Sequence, residues 1–377
     1  MSSLLSSEDR AIRMVCAKHF HQALWLPETT DHPKLKVTYS TTTNFDDVSL
    51  PVILFIGPMF GTRWYSLHFD KLARDCGARV ICVDRPAFGG STPVTISIRM
   101  RIWLETIPVL LQRLDVKHIA IVTHSAGAIY TLNTLFRHRS FLDPTAPYVA
   151  FLAPYVPIAH SGATLTTILA KLPTNLLDSW AGLNTFINNN ILPGTSWSGG
   201  IISSSAALLS SSASTDVPGA DISTSTTPFE QYGFNKDTAK LIETLSSKYQ
   251  FTECTTGANE EVKLCLQKCD DADWGEAADY SSCIRKIADN EKALGSRELN
   301  AAKVTVEAFF GGSDMMIAQR GQKYFEECWL SDGVEGKVDF TTSTFPEANH
   351  DSVLFDQKKG ALKIVFERIV SLSKDRA

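Results

Sequence analysis

The chain has 377 residues, of which 44% are hydrophobic, enough to bury one large core or a core with an inserted segment, so disorder as the overall state is excluded. Its formal net charge is -5 and no Lys/Arg stripe runs along a predicted helix, which removes the footprint that a phosphate backbone would need, so no nucleic-acid partner is expected. Met1 to Arg10 is polar and charged, and no apolar run reaches membrane-spanning length, so neither a secretory leader nor integral membrane association is expected and the expected compartment is cytoplasmic.

In chain order, Val52–Ile56, Arg79–Val83, His118–Val122, Tyr148–Leu152, Lys303–Phe309 and Lys337–Thr342 are short β-branched and aliphatic runs with helical stretches between them. This alternation predicts an α/β chain with a parallel, doubly wound sheet. Ile96–Leu114 carries Ile98, Ile102, Ile107 and Leu110/Leu111 at helical spacing and reads as a covering helix.

The alternation stops between Pro157 and about Arg297. Leu165–Leu172, Leu176–Leu192 and Ala239–Tyr249 are helix-like there without clear strands. The expected division is therefore 1–157 as the first part of the core, 158–297 as a helical insertion, and 298–377 as the second part of the core. Within the insertion, 198–227 is dense in Ser, Thr, Gly and Ala and reads as a loop. Trp180, Phe186 and Trp197 either form the insertion's own core or line an apolar pocket.

Four of the eight cysteines, Cys254, Cys265, Cys269 and Cys283, also fall in the insertion. Their spacing fits no familiar zinc pattern and no histidine lies nearby, so no metal is expected; a local disulfide and reduced, packed thiols both stay open.

The strand His118–Val122 leads into Thr123-His124-Ser125-Ala126-Gly127 and a helix to about Arg137, the strand–turn–helix context of a nucleophile elbow. Ser125 then stands at a strand's carboxyl end with a helix N-terminus behind it, where backbone amides face developing negative charge. The bland alternative is a structural serine at a strand end. A serine hydroxyl needs a base, and Asn349-His350-Asp351 follows the last predicted strand; a carboxylate to orient that base stands in Gly311-Gly312-Ser313-Asp314. Asp314 could instead cap a helix beginning near Met315. Ser125, Asp314 and His350 are thus the candidate catalytic residues.

The oxyanion of an acyl intermediate needs two donors. Ala126 supplies one amide; after Val52–Ile56, in Gly57-Pro58-Met59-Phe60-Gly61, Pro58 has no N–H, so Met59 is the expected second donor with Phe60 next. His124 reads as a packing or hydrogen-bonding residue, and Asp84-Arg85 as a brace for its loop rather than as catalytic groups.

The elbow Thr123–Gly127, the segment Val83–Ser91 and the Asp314 and His350 contexts together resemble the α/β-hydrolase fold family over about Val52–Pro157 and Ala301–Ser371. Leu152-Ala153-Pro154-Tyr155 with the Ser-rich insertion is similar to fungal members. The resemblance implies a mostly parallel eight-stranded sheet flanked by helices, a helical lid inserted after the sixth strand, and cleavage of an ester, thioester or lactone in a fairly apolar small molecule, without a cofactor. The sequence departs from the family at Thr123, where glycine is usual, and at Gly57-Pro58, where His-Gly is usual. Family members that open epoxides or remove halides use a carboxylate where this chain has Ser125. Acyl transfer to another acceptor, or a ligand-binding protein that keeps the triad with little turnover, are the competing expectations, and the sequence leaves oligomeric state open.

Overall fold

The computed structural model describes residues 5–163, 167, 170–171, 225–297 and 302–374. Among them eight strands form one sheet: β1 Gln22–Leu26, β2 Leu35–Thr41, β3 Val52–Ile56, β4 Arg79–Val83, β5 Ala120–His124, β6 Tyr148–Leu152, β7 Thr305–Gly311 and β8 Asp339–Phe345. Their order is β1-β2-β4-β3-β5-β6-β7-β8. β1 pairs antiparallel with β2 and β2 with β4; every other pair is parallel.

Strands β3, β4, β5 and β6 are buried along their whole length because helices cover both faces of the sheet. Successive side chains point to opposite faces. Leu54, Ile56, Ile121, Val149 and Phe151 join one core layer with Trp103, Ile129, Ile284 and Phe325 from the helices Arg99–Arg113, Gly127–Arg137, Tyr280–Arg297 and Gln319–Trp329. Their neighbours Ile53, Phe55, Val122 and Ala150 join the other layer with Phe69 and Phe366 from Tyr65–Cys76 and Leu362–Lys374. Each fully buried aliphatic or Phe side chain contributes about 1.5–3 kcal/mol, which makes the two layers the main source of stability.

The elements differ from the sequence expectations in several places. The eight strands that the resemblance implies are present, but β1 and β2 were not placed in the sequence: β2 is rich in hydroxyls, yet it is buried because Thr38 Oγ1 donates to Asp84 Oδ2 at 2.6 Å and Ser40 Oγ donates to Arg63 O at 2.5 Å. β5 begins and ends two residues later than expected, since Thr123 and His124 stay in the sheet; β7 is displaced likewise, and β8 runs over Asp339–Phe345 where Lys337–Thr342 was expected. No helix starts at Met315; the next helix is Gln319–Trp329. The final helix expected over Asp351–Ser371 is broken into Ser352–Phe355 and Leu362–Lys374. Asp356 Oδ1 accepts the amides of Lys358 and Lys359, and Gly360 lies so close to the chain that a β-carbon would sit 2.4 Å from Ser352 O.

Of the insertion, Lys236–Thr252 contains the expected helix Ala239–Tyr249. Leu176–Leu192, Trp180, Phe186, Trp197, most of Leu165–Leu172 and most of 198–227 lie outside the described residues. All eight cysteines are free thiols. Among the described residues no helix is long and apolar enough to cross a membrane.

β3 has β4 on one side and β5 on the other, so successive crossovers leave it in opposite directions. Such a switch opens a crevice beyond the carboxyl ends of the strands. The loop after β3 and the turn after β5 border it, and both carry residues singled out above.

Candidate active site

Ser125 directly follows β5 and adopts φ 51°, a left-handed backbone that a β-carbon makes costly. Three hydrogen bonds hold it there: its amide donates to Leu152 O at 3.1 Å, and its carbonyl accepts from Ala128 N and Tyr155 N, both at 3.0 Å. The helix Gly127–Arg137 then leaves the turn. A β-carbon at Gly127 would lie 2.3 Å from Ile56 O and 2.4 Å from Thr123 Oγ1, so only glycine fits. Thr123 is accommodated without leaving the sheet: its hydroxyl donates to Ile56 O at 3.0 Å, and its backbone keeps register with Ile56 and Phe151.

The ends of β7 and β8 deliver the other two side chains. Gly311 passes beneath the 346–350 loop, where a β-carbon would meet Ala348 O and Asn349 O at 2.7 Å, and Ser313 N donates to Ala348 O at 3.0 Å. Asp314 Oδ2 stands 2.8 Å from His350 Nδ1, and His350 Nε2 stands 2.9 Å from Ser125 Oγ. The structure thus brings the three expected side chains into one continuous relay. With a carboxylate on Nδ1, that nitrogen carries the proton and Nε2 accepts from the serine hydroxyl. The other oxygen of Asp314 accepts the amides of Met316 and Ile317 at 2.7 and 2.8 Å, so the carboxylate caps a turn and faces His350 at once.

Burial opposes charge on His350, but the negative charge of Asp314 and its hydrogen bond outweigh burial and raise the imidazole above its ordinary 6.5. Burial likewise pushes Asp314 up, and the charge and hydrogen bond of His350 with the two turn amides bring it below 3.8. The two shifts agree in sign with a carboxylate stabilising an imidazolium.

Two residues support His350 from behind. His124 is buried, as expected of a packing residue; its Nε2 contacts His350 O at 2.8 Å, its ring lies 4.9 Å from that of His350, and burial lowers it to about 3. It is therefore a neutral donor to the backbone of His350. Asn349 was not singled out in the sequence: Asn349 Oδ1 accepts Asp351 N and Ser352 N at 3.1 and 2.8 Å, a turn that precedes the helix Ser352–Phe355. The preference of asparagine for such turns was the available signal.

The loop after β3 is tight. Gly61 N donates to Pro58 O at 2.7 Å, and a β-carbon at Gly61 would lie 2.6 Å from Gly57 Cα. Met59 is half-buried; the Phe60 ring is buried against Phe88 at 5.5 Å. Among the described residues the amides of Met59 and Ala126 donate to no acceptor.

Asp84 and Arg85 brace loops, though not through each other. Asp84 takes Arg63 N and Nη1, both at 2.7 Å, while Arg85 reaches Glu261 and the carbonyls of Gly57 and Pro58. The inserted segment docks here: Gly89 and Cys254 form a bridge, Gly257 N donates to Ala87 O at 2.9 Å, and Arg63 also binds Glu253. Among the described residues no group of three or more His, Cys, Asp or Glu is placed to hold a metal ion.

A model of the alpha/beta hydrolase family matches residues 53–357. No curated protein matches the chain in sequence. Among solved structures, it is similar to a putative lipase from Acinetobacter baumannii AYE (11% identity, TM-score 0.55, 99% of each chain covered). A crystal structure of carboxylesterases from Nitrososphaera gargenis matches at 12% identity and TM-score 0.50, covering 94% of this chain and 100% of that one. An epoxide hydrolase from Vigna radiata matches at 15% identity and TM-score 0.50, covering 94% and 98%. At these identities the likeness is one of fold.

Proposed function

The chain belongs to the alpha/beta hydrolase family, and we propose that it is a serine hydrolase cleaving an ester, thioester or lactone bond of a fairly apolar small molecule. The observation that carries this reading is the relay Asp314 Oδ2–His350 Nδ1–His350 Nε2–Ser125 Oγ, with spacings of 2.8 and 2.9 Å. Ser125 Oγ attacks the acyl carbon as His350 Nε2 takes its proton, and the carbonyl electrons move onto oxygen, where the Met59 and Ala126 amides receive them. Collapse expels the alcohol or thiol with the proton from His350, leaving acyl-Ser125. Water, deprotonated by His350, then repeats the sequence and releases the acid. Asp314 stays ionised and steadies the imidazolium. Segment 158–297 is proposed as the lid over this site.

A carboxylate nucleophile, the requirement for opening an epoxide by an alkyl-enzyme ester, is absent at position 125, which favours acyl-enzyme chemistry over epoxide opening. Replacing Ser125 with Ala is expected to lower kcat on p-nitrophenyl butyrate by about 10⁴-fold or more and to abolish labelling by a fluorophosphonate. Turnover that survives the substitution would refute the assignment of Ser125. Labelling without turnover in water would favour acyl transfer to another acceptor or a ligand-binding role.

A further inference from the structure

Arg85 spends its guanidinium on the backbone of the loop after β3. Nη1 donates to Gly57 O at 2.9 Å, and Nη2 donates to Pro58 O. The opposite edge is gripped by Glu261, with Nε to Oε1 at 2.5 Å and Nη2 to Oε2 at 2.8 Å. Glu261 also accepts from Arg99 Nη2 and Tyr130 Oη, each at 3.1 Å. Arg85, Arg99, Tyr130 and Glu261 are each only 1% exposed, so this network is sealed from water.

Burying such charges is costly unless they are tied, and in this network Arg99 Nη1 is the one atom without a partner among the described residues. Only the planar fork of arginine meets a carboxylate on one edge and two carbonyls on the other. A peptide unit is planar, and none in the described chain is cis, so the C=O of Pro58 and the N–H of Met59 point in opposite directions. Anchoring Pro58 O to Arg85 therefore dictates where the Met59 N–H points, which is away from the guanidinium. A flip of that peptide would turn a carbonyl toward the site and remove the donor.

Resting on the serine-hydrolase reading, we infer that Arg85 is a positioning residue that locks the Pro58–Met59 peptide in the orientation an oxyanion requires, and that Glu261 is the latch that holds Arg85. Glu261 comes from the inserted helix Gly257–Cys265 and the Arg85 side chain from the loop after β4. Docking of the insertion and completion of the oxyanion site are thus one event. Two guanidiniums against one carboxylate also leave a positive excess behind the loop, the sign that favours a developing oxyanion.

The test uses the full chain with p-nitrophenyl butyrate as substrate and phenylboronic acid as a tetrahedral mimic. In Arg85→Lys and Glu261→Gln, kcat is expected to fall about 100-fold with KM within about threefold, and phenylboronic acid to weaken in step with kcat. Folded variants, by near-UV circular dichroism, that keep kcat within threefold, or that only raise KM, overturn the inference. Exchanging Met59 for its α-hydroxy acid replaces the amide N–H by an ester oxygen and leaves the buried network intact. It should lower kcat about as much, and Arg85→Lys added to it should cost little more; an unchanged kcat overturns the inference even where the network variants do not fold. Turnover surviving in Ser125→Ala sinks the serine-hydrolase reading and this inference together. Turnover lost there but kept in the other variants sinks this inference alone.

Discussion

Ser125 keeps a backbone angle that serine rarely adopts because its amide and carbonyl are both committed, to Leu152 O and to Ala128 N and Tyr155 N. The turn aims its hydroxyl at an imidazole whose proton affinity is set by Asp314. His350 must be neutral to act as base, and its raised pKa means that kcat/KM should fall on the acid side through a pKa above 6.5. Asp314→Asn removes the charge that raises it, so the acid limb should move to lower pH while the plateau drops by about 10⁴-fold, measured as a pH profile of kcat/KM. An unmoved limb would mean that Asp314 does not govern His350. Linkage gives the opposite trend for stability. Asp314, depressed, contributes above 3.8 and loses that contribution as pH falls through its folded pKa; His350, raised, contributes below 6.5 and loses it as pH rises through its folded pKa. The pair therefore steadies the fold most between those values, below the pH at which the base works best.

Among the helices, Gln319–Trp329 ties β6 and β7 to the helix Tyr280–Arg297 through one ring: Phe325 contacts Phe151 at 5.2 Å, Phe310 at 6.2 Å and Tyr280 at 6.4 Å, and it is fully buried. Phe325→Ala should cost about 3–5 kcal/mol in urea unfolding. Ile364→Ala, at a position 50% exposed, should stay within about 0.5 kcal/mol. Equal effects would show that the layer is not organised around Phe325. All six strands expected from sequence are present, and those with the expected bounds are β3, β4 and β6, where burial on both faces leaves no polar alternation. β2 escaped because the hydroxyls of Thr38 and Ser40 are satisfied inside the core by Asp84, Ser91 and Ser66, so polar letters there do not mean exposure. Thr123 and His124 misled in the same way at the end of β5: each is buried on a single hydrogen bond, to Ile56 O and His350 O. The relay residues were legible from strand-end motifs, whereas Glu261 was not. Its role exists only where the inserted helix meets Arg85, 176 residues earlier in the chain.

On the scale of the whole molecule, the first helix, Ser7–Val15, packs on Lys236–Thr252, so the beginning of the chain clamps part of the insertion. Ala11, Val15, Phe20, Trp64, Tyr232, Ala239 and Ile242 form a separate apolar cluster, distinct from the two layers on the sheet. A cluster with its own core can open without the sheet opening, which places 236–252 among the regions of lower local stability. Val15→Asp puts an unpaired carboxylate at a fully buried position, and the helix should peel away rather than bury it. Hydrogen exchange should then speed up over 7–15 and 236–252 while the amides of β3 to β6 keep their protection. A uniform loss of protection would show instead that the clamp and the sheet unfold as one unit, and that the insertion is held as firmly as the core it covers.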